Sequence, residues 1–341
     1  MRRSLRLALV VLLLAPLAAA QGPAPGFAKG FSPEVIGPGN LSTLTFTIDN
    51  SGSAQPVTDL AFSDAFPVGM TVASPSGLAT TCVGGSRDGT QPVLTGAPGA
   101  SSVSLASGSV PGGATCTVSV RVTSSTVGTV TNTSGALTSS AGSSGTATDD
   151  LTVDASRPAF SKSFADPTVA IGARTTLTFT IDNSANASAV NSLDFTDSFP
   201  AGLEVAGPAN ASTTCGTTTL PPTLTASPGG TTVILDANGT FGFPAVAAEA
   251  TCTVSVDVTA TGGGTLENTT ELQADFVSVG SGGDVLDVVA STLRLDKNFL
   301  DDPVAPGGTS RLRFRLRNLS RAGAATGLAF SDDLDATLSG L

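Results

Sequence analysis

The segment LSTLTFTIDN at residues 41–50 returns as RTTLTFTIDN at 174–183 and, more altered, as TSRLRFRLRN at 309–318. A second segment keeps the same order: DLAFSDAFPVG at 59–69 recurs as SLDFTDSFPAG at 192–202 and as GLAFSDDLDAT at 327–337. Self-similarity at this period means copies of one supersecondary unit, so the fold must be one that can be strung in tandem. Within each copy the residues alternate. Leu44, Phe46, Ile48 and Asn50 share one face of an extended chain, with threonines between them on the other. Such runs, separated by Gly, Pro, Asn and Ser clusters and without a sustained helical period, predict an all-β protein. The expected architecture is a series of tandem Ig-like antiparallel β-sandwich modules, two complete and one truncated. Their expected bounds are 21–156, 157–291 and 292–341, after a leader at 1–20.

The leader reads MRRSLRLALVVLLLAPLAAA, with early arginines, an apolar run from Leu7 to Leu14 and small residues at Ala18, Ala19 and Ala20. These are the parts of a secretory signal peptide, and no later apolar run has membrane-spanning length. The expected location is therefore extracellular or on a bacterial cell surface. The whole chain has net charge −11 with only 13% charged residues, which argues against nucleic-acid or anionic-membrane partners. Histidine is absent, so catalytic triads and histidine-ligated metals are excluded from the chain; Trp and Tyr are absent too. No nucleophile elbow, P-loop or dinucleotide-binding glycine motif is present. A non-enzymatic role is expected.

Only three lysines occur in 341 residues, Lys29, Lys162 and Lys297, at the centres of FAKGF, FSKSF and LDKNF. Their spacings are 133 and 135 residues. By alternation each faces inward with its flanking apolar residues, where an ammonium is costly to bury. Two further polar residues recur in inward phase. Asp64, Asp197 and Asp332 follow Leu and Phe at two-residue steps, and Asn132 and Asn268 stand near the ends of the complete copies. Cys82 and Cys116 match Cys215 and Cys252, and in an exported chain this recurrence predicts one disulfide per complete module. Two thiols per copy without histidine make a poor zinc site.

The ordered pattern F-x-K-x-F, LTFTIDN, L-x-F-x-D-x-FP-x-G, C, C-T-V-S-V and N-T resembles the Ig-like repeats of bacterial surface proteins known as domain of unknown function eleven and its relatives. The resemblance implies stalk or adhesin segments of long envelope proteins. It covers both complete modules and the opening of the third, which replaces FP-x-G by LDAT. Lysine on a first strand, a carboxyl on a middle strand and an asparagine near the last is also similar to pilin and adhesin domains that form intramolecular isopeptide bonds. That resemblance implies Lys29–Asn132 assisted by Asp64, and Lys162–Asn268 assisted by Asp197. A buried lysine–aspartate ion pair, with the asparagine bonded to its own turn, is the competing reading.

Other recurrent features carry weaker expectations. Asn50, Asn183 and Asn318 end strands and suit turn chemistry. Asp149, Asp150 and Asp154, and Asp296, Asp301 and Asp302, lie near the module junctions, where calcium is a weak candidate and solvated acids the stronger reading. Arg311, Arg313, Arg315 and Arg317 share one face and are expected to oppose carboxylates on a neighbouring strand. The sequons at Asn40, Asn210 and Asn238 are attributed to threonine-rich composition. Expected partners are other envelope proteins or extracellular ligands. An alternative role is adhesion through loop tips, above all the loops between the cysteines. The third copy, lacking its later strands, suggests that the chain is a fragment of a longer reading frame.

Overall fold

The computed structural model describes residues 22–84, 91–216, 222–236, 244–275, 277–289, 293–318 and 325–334. The leader and parts of both inter-cysteine loops, 85–90, 217–221 and 237–243, lie outside these residues. Every regular element described is a β-strand, and no helix among the described residues is long and apolar enough to cross a membrane.

In the first module the strand Gly26–Ser32 pairs antiparallel with Leu41–Asp49, which pairs with Thr115–Ser124, which in turn pairs with Met70–Val72. The opposing sheet is built on Val57–Ala65 and Ser102–Val110. The alternation read from LSTLTFTID appears as a burial rhythm: Leu44, Phe46 and Ile48 are fully enclosed while the threonines between them are half-buried. Each enclosed side chain of this size contributes roughly 1.5–3 kcal/mol relative to exposure. Val118, Val120 and Val122 of TCTVSVRVTS supply the adjoining row. The FPVG segment turns the chain tightly: Met70 N donates to Pro67 O at 3.0 Å and Gly69 takes φ +91°, which a side chain would strain.

The second module repeats the arrangement. Ala159–Phe164, Arg174–Asp182 and Thr251–Ala260 pair in the same order, and Phe195–Ser198 pairs with Thr232–Asp236. Lys29 stands opposite Phe46 and Lys162 opposite Phe179. Buried apolar residues form two clusters, one running from Phe31 to Val153 and the other from Phe160 to Val288. Each module therefore has its own core. Among the described residues of the third copy, Leu293–Phe299 and Leu312–Asn318 form a hairpin in the same register, with Lys297 opposite Phe314. Its apolar residues stay open: Leu295, Phe299, Leu328 and Phe330 are between 44% and 51% exposed. On the arginine face Arg315 lies across from Asp296, whereas Arg313 opposes Asn298 and Arg317 opposes Arg294.

Candidate functional site

Each complete module encloses the lysine, aspartate and asparagine that its repeats share. In the first, Lys29 Nζ lies 2.9 Å from Asp64 Oδ2, and both side chains are fully enclosed. Asn132 Nδ2 donates to the same oxygen at 2.8 Å. The three groups come from separate strands, Gly26–Ser32, Val57–Ala65 and Gly128–Thr133, whose alternation turns one polar residue of each toward the core. Aromatic rings wall the site. Phe46 and Phe62 pack at a tilt of 42° with centroids 4.6 Å apart, and Lys29 Nζ lies 5.3 Å from the Phe46 centroid, a cation–π geometry.

The second site is similar but wired differently. Lys162 Nζ is 2.7 Å from Asp197 Oδ1, Asn268 Nδ2 donates to Asp197 Oδ2 at 3.0 Å, and Thr270 Oγ1 accepts from Lys162 Nζ at 2.8 Å. Burial pushes both amines below the usual lysine range, against the opposing pull of their aspartates; Lys162 falls to about 8. In the third copy Lys297 Nζ lies 2.6 Å from Asp332 Oδ1, but the two side chains are 38% and 24% exposed. No asparagine joins that pair among the described contacts.

Several buried acceptors at these sites have no hydrogen-bond partner: Asp64 Oδ1, Asn132 Oδ1 and Asn268 Oδ1. Such atoms are costly in an apolar surround. A half-turn of the Asn132 amide would bring its oxygen to the place of Nδ2, 2.8 Å from Asp64 Oδ2, where a protonated carboxyl would donate to it.

Two aspartates take part that the sequence pattern does not single out for this role. Asp149 Oδ2 accepts from Phe31 N at 2.7 Å, and Asp284 Oδ2 accepts from Phe164 N at 2.8 Å, so each clamps the backbone of a lysine strand. Both stand four residues before a buried valine, Val153 and Val288, a recurrence obscured by unlike neighbours. The junction acids are engaged separately rather than as one cluster. Asp154 bonds to Ser156 and faces Arg157, Asp296 pairs with Arg294, and Asp301 pairs with Arg311. No group of three potential metal ligands occurs among the described residues.

The cysteines join as Cys82–Cys116 and Cys215–Cys252. Asn50 and Asn183 are enclosed and donate to two loop carbonyls each, Gln55 and Pro111, and Ser188 and Ala247.

Asn40 is more than sequon composition. Its side chain is fully enclosed at the contact between the modules, where Nδ2 donates to Pro158 O at 3.1 Å and Val279 O at 2.5 Å while Oδ1 accepts from Phe160 N at 2.6 Å. Arg157 Nη1 donates to Val35 O and Ser278 O, and Ser281 pairs with Leu41, so strands of both modules meet in one sheet. At Gly280, φ is +105° and an added Cβ would come within 2.7 Å of Asn40 Cβ. Of the other sequons, Asn210 is exposed and donates to Asp257, and Asn238 lies outside the described residues. Asn40→Ala is expected to free three buried backbone groups, lower amide-exchange protection at Phe160 and broaden the interdomain distances seen by small-angle scattering. The cost is about 1–3 kcal/mol at the joint. Unchanged protection at Phe160 would mean that the joint is held elsewhere.

Fold and sites together define an all-β protein of tandem Ig-like modules, each stapled by a disulfide. The chain belongs to a domain family of unknown function, DUF7933, whose model matches it twice, over residues 25–153 and 158–287. The matching model is not that of domain of unknown function eleven; it shows two repeats of one domain family, over the two complete modules. No curated protein matches it in sequence. Among solved structures it is similar to the collagen adhesin (CNA) from S. aureus, at 12% identity over 86% of this chain and 97% of that one, with TM-score 0.27. It is similar to the C-terminal domain of the AgI/II polypeptide BspA of Streptococcus agalactiae, at 13% identity over 78% and 100%, with TM-score 0.27. It is also similar to red sea bream transglutaminase, at 10% identity over 79% and 32%, with TM-score 0.26. Chains with such scores do not superpose as wholes, so no property of those proteins is carried over.

Proposed function

We propose that this chain is a non-enzymatic structural repeat protein, exported to a cell surface or beyond, whose complete modules are braced internally by isopeptide bonds. The bonds would join Lys29 to Asn132 and Lys162 to Asn268. The observation that carries the reading is the enclosed triad: an amine and a carboxamide from distant strands share one buried carboxyl. The modules are taken as 21–156 and 157–291, with a third beginning at 292.

The step balances without any co-reactant. A proton passes from the lysine ammonium to the aspartate, leaving a neutral amine and a neutral carboxyl. The amine attacks the asparagine Cγ while the carboxyl proton polarises the amide oxygen. The attacking nitrogen gives up one proton, which the aspartate relays to Nδ2; the Cγ–Nδ2 bond breaks, one ammonia departs for each amide formed, and the carboxyl ends neutral as it began the attack. Burial favours the neutral amine, and the fold supplies the high effective concentration that an amide acceptor requires.

A bond between residues 29 and 132 bypasses the intervening chain, so tension along a module would not peel its first strand from the sheet. The joint at Asn40 and Arg157 supports the same reading, since it couples neighbouring modules directly. The two disulfides fit an oxidising compartment. Intact mass spectrometry of the mature protein tests the cross-links: a deficit of one ammonia per linked module is expected, beyond the hydrogens lost to the disulfides. A chain at its uncorrected mass would refute them.

A further inference from the structure

Two residues beyond each triad asparagine stands a hydroxyl, Ser134 in NTS at 132–134 and Thr270 in NTT at 268–270. Both residues are 3% exposed, yet the two hydroxyls do different things. Ser134 Oγ accepts from Ala147 N at 3.0 Å, holding the turn after the asparagine strand. Thr270 Oγ1 accepts from Lys162 Nζ at 2.8 Å and donates to Asp197 Oδ1 at 2.6 Å.

This changes the donor and acceptor balance of the site. Asp197 Oδ1 receives Lys162 and Thr270, and Oδ2 receives Asn268, so both oxygens are satisfied as an ionised carboxylate. In the first module Oδ2 of Asp64 receives both Lys29 and Asn132, while Oδ1 has no partner. That site is short of one donor. Asp64 therefore has one hydrogen bond fewer than Asp197 holding it as a carboxylate, and a protonated carboxyl is the form that the cross-linking step needs. Burial draws Lys162 toward its neutral form, and a hydroxyl that donates to the carboxylate and accepts from the ammonium opposes this by favouring the charged form of each.

From this difference we infer that Thr270 holds the second site in its ion-paired form, so that the Lys162–Asn268 bond forms about tenfold more slowly than Lys29–Asn132. Thr270 is thus a positioning residue that sets the order of cross-linking, and adjacent modules differ in extensibility until the slower bond closes. The inference rests on the isopeptide reading. The magnitude follows from losing one hydrogen bond to a charged group, which is enough for a decade in rate.

The test follows both bonds in one chain. The full chain, as wild type, Thr270→Val and Thr270→Ala, is refolded with disulfides intact, sampled over time and digested, and each linked peptide is quantified by mass spectrometry. In the wild type the Lys29–Asn132 peptide should reach completion while Lys162–Asn268 remains partial. Both variants should speed the second bond about tenfold and leave the first unchanged. Valine keeps the shape and alanine does not, so acceleration in both identifies the lost hydroxyl rather than altered packing. Equal wild-type rates, or variants that leave the second bond no faster while the first forms normally, overturn the inference alone. If neither bond forms in any chain, the isopeptide reading falls with it.

Discussion

Asp64→Ala is expected to destabilise the first module by about 3–5 kcal/mol and to leave Lys29 and Asn132 unlinked. Asp64 Oδ2 is the oxygen on which both groups converge, so its removal strands an enclosed ammonium and an enclosed carboxamide together. In urea the first module should melt earlier by roughly 1–5 M, given the usual slope for small proteins. The second module, with its own core, should hold its midpoint. A paired replacement, Lys29→Met with Asp64→Leu, separates the two contributions. Removing both charges together is close to neutral as far as the ion pair is concerned, so the destabilisation that remains measures the lost cross-link. If Asp64→Ala melts within about 1 kcal/mol of the parent, the buried pair is not the keystone of this module.

The second large effect concerns the disulfides. Replacing Cys215 and Cys252 by alanine is expected to lower the stability of the second module by about 3–4 kcal/mol, because the bridge closes a segment with sequence separation 37. Cys252 sits on the central strand Thr251–Ala260, and Ser212–Thr213, just before Cys215, pairs with that strand. The bridge therefore fastens the edge of the sheet to its middle. Thermal unfolding of the variant beside the parent under non-reducing conditions measures the loss; a melting temperature unmoved by the double replacement would show that strand pairing alone holds this edge.

Much of the architecture could be read from the chain because alternation is local. Leu44, Phe46 and Ile48 can face only one way once their segment is extended, and Leu177, Phe179 and Ile181 repeat them. The same logic turned Lys29, Asp64 and Asn132 inward. The clamps by Asp149 and Asp284 were harder to see, since Asp149 reads as one of a run of surface acids beside a junction. Only the fold shows its carboxylate 2.7 Å from the amide of Phe31. Asn40 was obscured in the same way. Its sequon looks like composition, and its contacts lie 118 and 239 residues away in the chain.

What the sequence determined by itself is the repeated module, its strand phases and the identity of the polar residues sent into each core. Phase follows from the backbone, which places successive side chains on opposite faces whatever the rest of the molecule does. Which atoms then meet was decided by tertiary structure. Ser134 and Thr270 occupy the same place in the repeat and both are buried, but one hydroxyl serves a backbone amide and the other bridges a lysine and an aspartate. Ser134 lies just past the end of the strand Gly128–Thr133, whereas Thr270 lies inside the strand Gly264–Ala274, so the surrounding strands bring different partners within reach of each hydroxyl.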